Sequence, residues 1–290
     1  MRQPTQIIRF GAPAVGFAYG SIVAITFAHH AAPMWLVWAA FAIAATTAAG
    51  VLFAYGLSRW RELNELSTVH MREVIWPVTA LVVVSLAGMN VPAFLPGPSH
   101  LNAGGAGNGS GSGLVGMFAI LAAIPAAGAM YGIWRVAVRD VLPGKRGEQL
   151  DLLLALRRLL QRLLAAAGSV VALVTFTAGT WWLLEHSLHT QFGNRPPQFV
   201  LIFGAYGSVI VGLVYGPAWA ALQRRGQLLC DEMYPLRKLD EVAAILSQAV
   251  DRQKLEQMLG LDRGIISDLQ GGLIILVPLL ASAVAAFLPH

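Results

Sequence analysis

Apolar residues fall in long runs along this chain, and charged residues collect in the shorter segments between them. A bilayer core about 30 Å thick takes roughly 20 residues of α-helix. Seven runs approach that length with charges only near their ends: Gly11 to Ala28, Met34 to Leu57, Val74 to Leu95, Leu114 to Val138, Leu163 to Leu184, Val200 to Leu222 and Ile265 to Leu288. The pattern predicts an all-α, polytopic membrane helix bundle of about seven transmembrane helices, forming one integral membrane domain over residues 1–290.

Orientation follows from the basic residues, because short cytoplasmic loops retain lysine and arginine during insertion. Of the 20 basic residues, 18 lie before the first run or in the segments after the second, fourth and sixth, Arg135 lies at the same end of the fourth run, and Arg195 alone lies on the other side. This places the amino terminus in the cytoplasm and, with seven spans, the carboxy terminus outside. The basic start and apolar stretch of Met1 to Ala32 also resemble a secretory signal, but the stretch is long for one, and His29 and His30 spoil a small-residue cleavage site.

The segments between the runs differ in kind. Residues 97–113 form a glycine- and serine-rich loop on the outer side, a flexible tether. On the basic side, 139–162 and 223–264 carry apolar residues at helical spacing, among them Leu239, Val242, Leu246, Ala249 and Val250. They read as amphipathic helices lying on the membrane or on each other, the second ending at Gly260 and Gly264. Three spans end alike at this side, with Tyr55-Gly56 and Trp60, Tyr131-Gly132 and Trp134, and Tyr215-Gly216 and Trp219. The chain therefore reads as three helical hairpins plus a seventh helix, although aromatic residues also belong at lipid headgroups in any membrane protein.

Composition agrees with the pattern. Charged residues make up 12% of the chain and hydrophobic residues 56%, with a mean hydropathy of +0.62, which excludes a water-soluble enzyme of this size. Cys230 is the only cysteine, so an intramolecular disulfide framework is excluded. Topology accounts for the basic pI of about 9.7, and no nucleic-acid partner is expected. Arginine outnumbers lysine 17 to 3, which points to a GC-rich bacterium and its plasma membrane.

Candidate chemistry is sparse. The cores of the seven runs hold no Asp, Glu, Lys, Arg or His, which speaks against ion-coupled transport through an intramembrane carboxylate and against an intramembrane protease. Gly111, Gly113 and Gly116 match G-x-G-x-x-G but follow a flexible loop rather than a strand, so no nucleotide site is read there. Six of the seven histidines fall on the outer side. His29 and His30 end the first run, while Glu185, His186 and His189 end the fifth. If these helix ends are neighbours, their imidazoles and carboxylate form a ligand set for a transition metal, or for a haem with one histidine from each helix. The alternative is that histidine is an amphipathic interfacial residue with no ligand. Gly204, Ser208, Gly212 and Gly216 recur every fourth residue in the sixth run, leaving a nearly bare backbone face for helix packing, and Gly16 with Gly20 and Gly128 with Gly132 repeat the pattern.

The expected function is a non-enzymatic, transport-related or complex-forming membrane subunit, surrounded by membrane lipids and assembled with a membrane-protein partner or with copies of itself. Two alternatives stand beside it: an outward-facing histidine metal or haem site, and a passive channel or facilitator along the glycine faces.

Overall fold

The computed structural model describes residues 4–28, 34–66, 71–94, 111–139, 145–188, 198–235 and 242–261. Every element in them is an α-helix: α1 (Pro4–Thr26), α2 (Met34–Leu66), α3 (Met71–Phe94), α4 (Gly111–Val138), α5 (Arg146–Ser187), α6 (Gln198–Met233) and α7 (Val242–Leu259). Four of them, α2, α4, α5 and α6, are long and apolar enough to cross a membrane, while α1 and α3 carry the shorter apolar stretches Phe10–Thr26 and Glu73–Gly88. The first six apolar runs thus fall in α1 to α6. The run from Ile265 to Leu288 lies outside the described residues, and α7 is a different segment. Gly111, Ser112 and Gly113, read from sequence as part of the 97–113 loop, open α4 instead.

The core is built on α2, which packs against α1, α4 and α5; α6 lies against α4 and α5, and α3 rests on α4 with a lighter contact to α6. Helices in lipid gain little from burying apolar surface against one another, so close backbone approach carries much of their association. Glycine supplies it here. A Cβ at Gly16 would stand 2.9 Å from the Thr46 carbonyl carbon, one at Gly20 2.9 Å from Ile43 Cα, and one at Gly50 2.9 Å from the Ala12 carbonyl carbon. These neighbours are backbone atoms that cannot step aside. On the next face of α2, a Cβ at Gly56 would lie 2.8 Å from Ala126 Cα of α4. Thr46, fully buried in the α1–α2 interface, satisfies its hydroxyl by donating to the Ala42 carbonyl of its own helix at 2.9 Å.

At one end of the bundle, Trp38 of α2, Trp181 of α5 and Phe27 close the core, with the two indole rings 4.7 Å apart and Phe27 edge-on to both. Gly111 is required beside them, since a Cβ there would meet the Trp38 ring at 2.5 Å. Neither buried indole N–H finds a hydrogen-bond partner among the described residues, a cost that the packing of the rings offsets.

The opposite end carries the basic residues. Here α5 is one unbroken helix of 42 residues, about 63 Å long at 1.5 Å per residue and roughly twice a bilayer core. Most of segment 139–162 is therefore the first part of α5 rather than a separate surface helix. The run Leu150 to Leu164 holds only leucine, alanine, arginine, aspartate and glutamine, with no glycine or proline to stop it. Its start is held by Glu148, whose carboxylate accepts the Lys145 backbone N–H at 3.0 Å. α6 likewise continues to Met233 and takes the first part of segment 223–264.

α7 docks on these two extensions. Leu255 and Leu259 are buried, and Arg252 pairs with Asp231 of α6 at 2.8 Å and with Glu256 at 2.8 Å. The hydrogen bond to Glu256, more than any other influence, raises the Arg252 guanidinium above its ordinary pKa. Gly260 ends α7 at φ 60°, its N–H donating to the Gln257 carbonyl and that of Leu261 to the Glu256 carbonyl. This is a Schellman closure, which favours glycine at the left-handed position. The Gly260 carbonyl in turn accepts from Arg157 of α5 at 3.0 Å. Of the apolar stripe read from sequence, Leu246 and Val250 are exposed, and the contact with α6 runs through the neighbouring Arg252, Leu255 and Leu259.

Candidate functional site

A cavity of about 130 Å³ lies among α3, α4, α5 and α6. The room comes from α4, where Gly116, Ala119, Ala123 and Ala127 recur at three- and four-residue spacing and so share a face. Val170, Val171 and Val174 of α5 and Ile210 and Val211 of α6 form apolar walls, and Leu81 and Val82 bring in α3. On α6, Gly207 lets the helix close on α5, for a Cβ there would stand 2.7 Å from Val171 Cγ1.

Three hydroxyl residues border the cavity, Ser85, Thr175 and Tyr206. Thr175 donates to the Val171 carbonyl of its own helix at 2.8 Å. Tyr206 donates across the seam to the α3 carbonyls of Val84 at 2.9 Å and Ser85 at 3.0 Å. The lining holds no acid, base or thiol. An apolar cavity of this size has little to offer water and is suited to an apolar occupant held by dispersion.

Toward the basic end the seam continues. A second hollow of about 140 Å³ between α3, α4 and α6 shares Leu81 and Ala127 with the first and is bordered by Pro77, Tyr131, Trp134, Leu213 and Pro217. Arg135 lies over the Trp134 ring at 5.7 Å and pairs with Glu73, tying α4 to α3. Tyr55 is covered in the same way by Arg59, 5.1 Å from its ring. Two of the three Tyr-Gly pairs have a packing reason for the glycine: Gly56 faces Ala126, and Gly132 faces Leu63 and Trp60. Gly216, in the third, faces open space.

The helix-packing stripe of α6 divides in the structure. Gly204 is buried, and Ser208 is half-buried with its hydroxyl on the Gly204 carbonyl at 3.0 Å. A Cβ at Gly212 or Gly216, however, would meet nothing within 4 Å, so these two do not pack against another helix among the described residues. The inward face of α6 is set instead by Val211, Tyr215, Ala218 and Leu222, whose larger apolar area outweighs a bare backbone in choosing what turns inward.

Of the histidine group, Glu185 is half-buried near the end of α5, and His186 is exposed and stacked on Trp182 with ring centroids 5.3 Å apart. His29, His30 and His189 lie outside the described residues. Among the described residues no three His, Cys, Asp or Glu side chains come together as a metal site. The cavity residues Ala119, Ala123, Thr175, Tyr206 and Gly207 were not singled out as a site from sequence. The small-residue face of α4 is the one trace of them that the sequence carries.

Comparison with protein-family models, with curated proteins and with solved structures finds no match to this chain.

Proposed function

We propose that this chain is a non-enzymatic, transport-related subunit of a bacterial plasma membrane, crossing it about seven times with its amino terminus inside, and that its bundle admits an apolar chain from the bilayer. The observation that carries this reading is the cavity between α3 and α4–α6. Its lining is apolar, its bordering Thr175 and Tyr206 hydroxyls are turned to backbone carbonyls, and it holds no charged residue. An ion path needs polar or charged groups along it, whereas an acyl or isoprenoid chain needs only apolar contact.

The test is extraction of bound lipid-like molecules from protein purified in mild detergent, compared with Ala123→Phe, which fills the cavity. The wild type retains an apolar molecule that the variant has lost, and liposomes carrying the wild type move a fluorescent analogue of it faster than those carrying the variant. Equal retention in both proteins removes the reading.

A second reading, a complex-forming subunit, is favoured by the open positions Gly212 and Gly216, beside the exposed Val209 and Leu213. A membrane-protein partner or a second copy would lie along that face. Gly212→Leu then abolishes cross-linking in native membranes, and a wild-type chain that is monomeric there rules this reading out.

A further inference from the structure

Below the two hollows of the α4–α6 seam lies a third, of about 280 Å³, lined by Ala137, Val138 and Arg139 at the end of α4 and by Ala221, Arg224, Arg225 and Leu228 of α6. Its composition differs from everything above it. Three arginines border one groove, and no acidic residue is among its lining residues.

Neighbouring arginines at this end of the bundle are matched by acids: Arg59 with Glu62, Arg135 with Glu73, and Arg252 with Asp231 and Glu256. Arg224 and Arg225 have no such partner among the described residues. Like charges held together repel unless an anion is placed between them, and arginine is the side chain best matched to phosphate, since its planar fork donates two parallel hydrogen bonds.

The floor and flanks decide the source of that phosphate. Ala137 and Ala221 give an apolar floor, while Val138 and Leu228 are 51% and 43% exposed beside the arginines. Apolar groups left open next to a cationic groove mark the level where acyl chains meet headgroups. Upward, Val138 and Ala221 are each one helical turn from Trp134 and Pro217, which border the hollow above.

We infer that this groove is a binding site for the phosphate headgroup of an anionic phospholipid from the leaflet at the basic end, with Arg139, Arg224 and Arg225 as its ligands. The site goes beyond the apolar cavity and does not depend on that cavity being filled.

The test uses the full-length protein in zwitterionic micelles and measures retention of short-chain phosphatidylglycerol, short-chain phosphatidylcholine and inorganic phosphate. Phosphatidylglycerol is retained in preference to the other two. Replacing all three residues (Arg139→Gln, Arg224→Gln and Arg225→Gln) lowers its retention about tenfold or more, since each cation near a membrane surface contributes separately to binding an anionic headgroup. A control triple on the exposed face of α5 (Arg146→Gln, Arg158→Gln and Arg162→Gln) leaves it unchanged. If the groove triple does not fold, each single glutamine variant is measured and lowers retention by itself. Equal retention of the two lipids overturns the inference, as does an equal loss in the control triple. Inorganic phosphate held as tightly as the lipid also overturns it, by making the site one for a soluble anion.

Discussion

The phenol ring of Tyr206 occupies the place that a side chain at Gly88 would take, with its Cε2 2.5 Å from where that Cβ would stand. The same ring delivers its hydroxyl to the α3 backbone, so one residue of α6 both excludes a side chain from α3 and bonds to it. Since α3 otherwise rests mainly on α4, this contact defines one wall of the apolar cavity.

Tyr206→Phe keeps the ring and removes the two hydrogen bonds. A hydrogen bond between membrane helices is worth about 0.6–2 kcal/mol, so the variant folds but α3 opens more readily. Amide exchange across residues 81–88 accelerates while that of α2 does not change. Gly88→Leu is more damaging, because the ring must leave.

Gly16→Leu and Gly212→Leu make the same chemical change in opposite settings. The first drives a branched side chain into the α2 backbone and costs about 3 kcal/mol or more, by overpacking against atoms that cannot yield. The second meets open space and leaves the unfolding temperature in detergent within a degree or two, the scale of a neutral surface change. Thermal unfolding of the two variants side by side checks the assignment of the buried glycine faces.

Trp38→Ala removes the largest fully buried side chain among the described residues and the tilted ring contact it makes with Trp181. The expected loss is about 3–5 kcal/mol. Trp38→Phe retains most of the apolar contact and discards an unsatisfied N–H, so it costs clearly less. Denaturant titration followed by the fluorescence of the remaining tryptophans separates the two.

At the α7 dock, packing outweighs charge. The Arg252–Asp231 pair is partly exposed and contributes about 0–1 kcal/mol, whereas Leu255→Ala empties a buried site and costs about 2–5 kcal/mol. Limited proteolysis across residues 242–261 therefore rises sharply in Leu255→Ala and little in Arg252→Ala. Gly260→Ala, forced to hold φ 60°, loses about 1 kcal/mol through backbone strain.

The first six helices were legible because an unbroken apolar run has few other uses, and Gly16 with Gly20 did mark a true close approach. The extent of α5 was hidden by Arg157, Arg158 and Arg162. They interrupt hydropathy but not the main-chain hydrogen bonds that define a helix, so a change of solvent along one rod read as a change of element. The stripe at Gly212 and Gly216 shows a related limit: a period of four tells which residues share a face, not what that face meets. On α7 the visible stripe of Leu246 and Val250 lost to Leu255 and Leu259, which the neighbouring helices happen to reach. The cavity needed four helices at once, and only the small-residue face of α4 carried a trace of it in the sequence. The histidine group involves His29, His30 and His189, outside the described residues, and it stands as an expectation from sequence.

Because α5 runs from the Trp38–Trp181 plug to the carbonyl of Gly260 without a joint, it works as a lever. A small tilt at its Trp181 end would carry over, through that unbroken length, to a sideways displacement where Arg157 meets the end of α7.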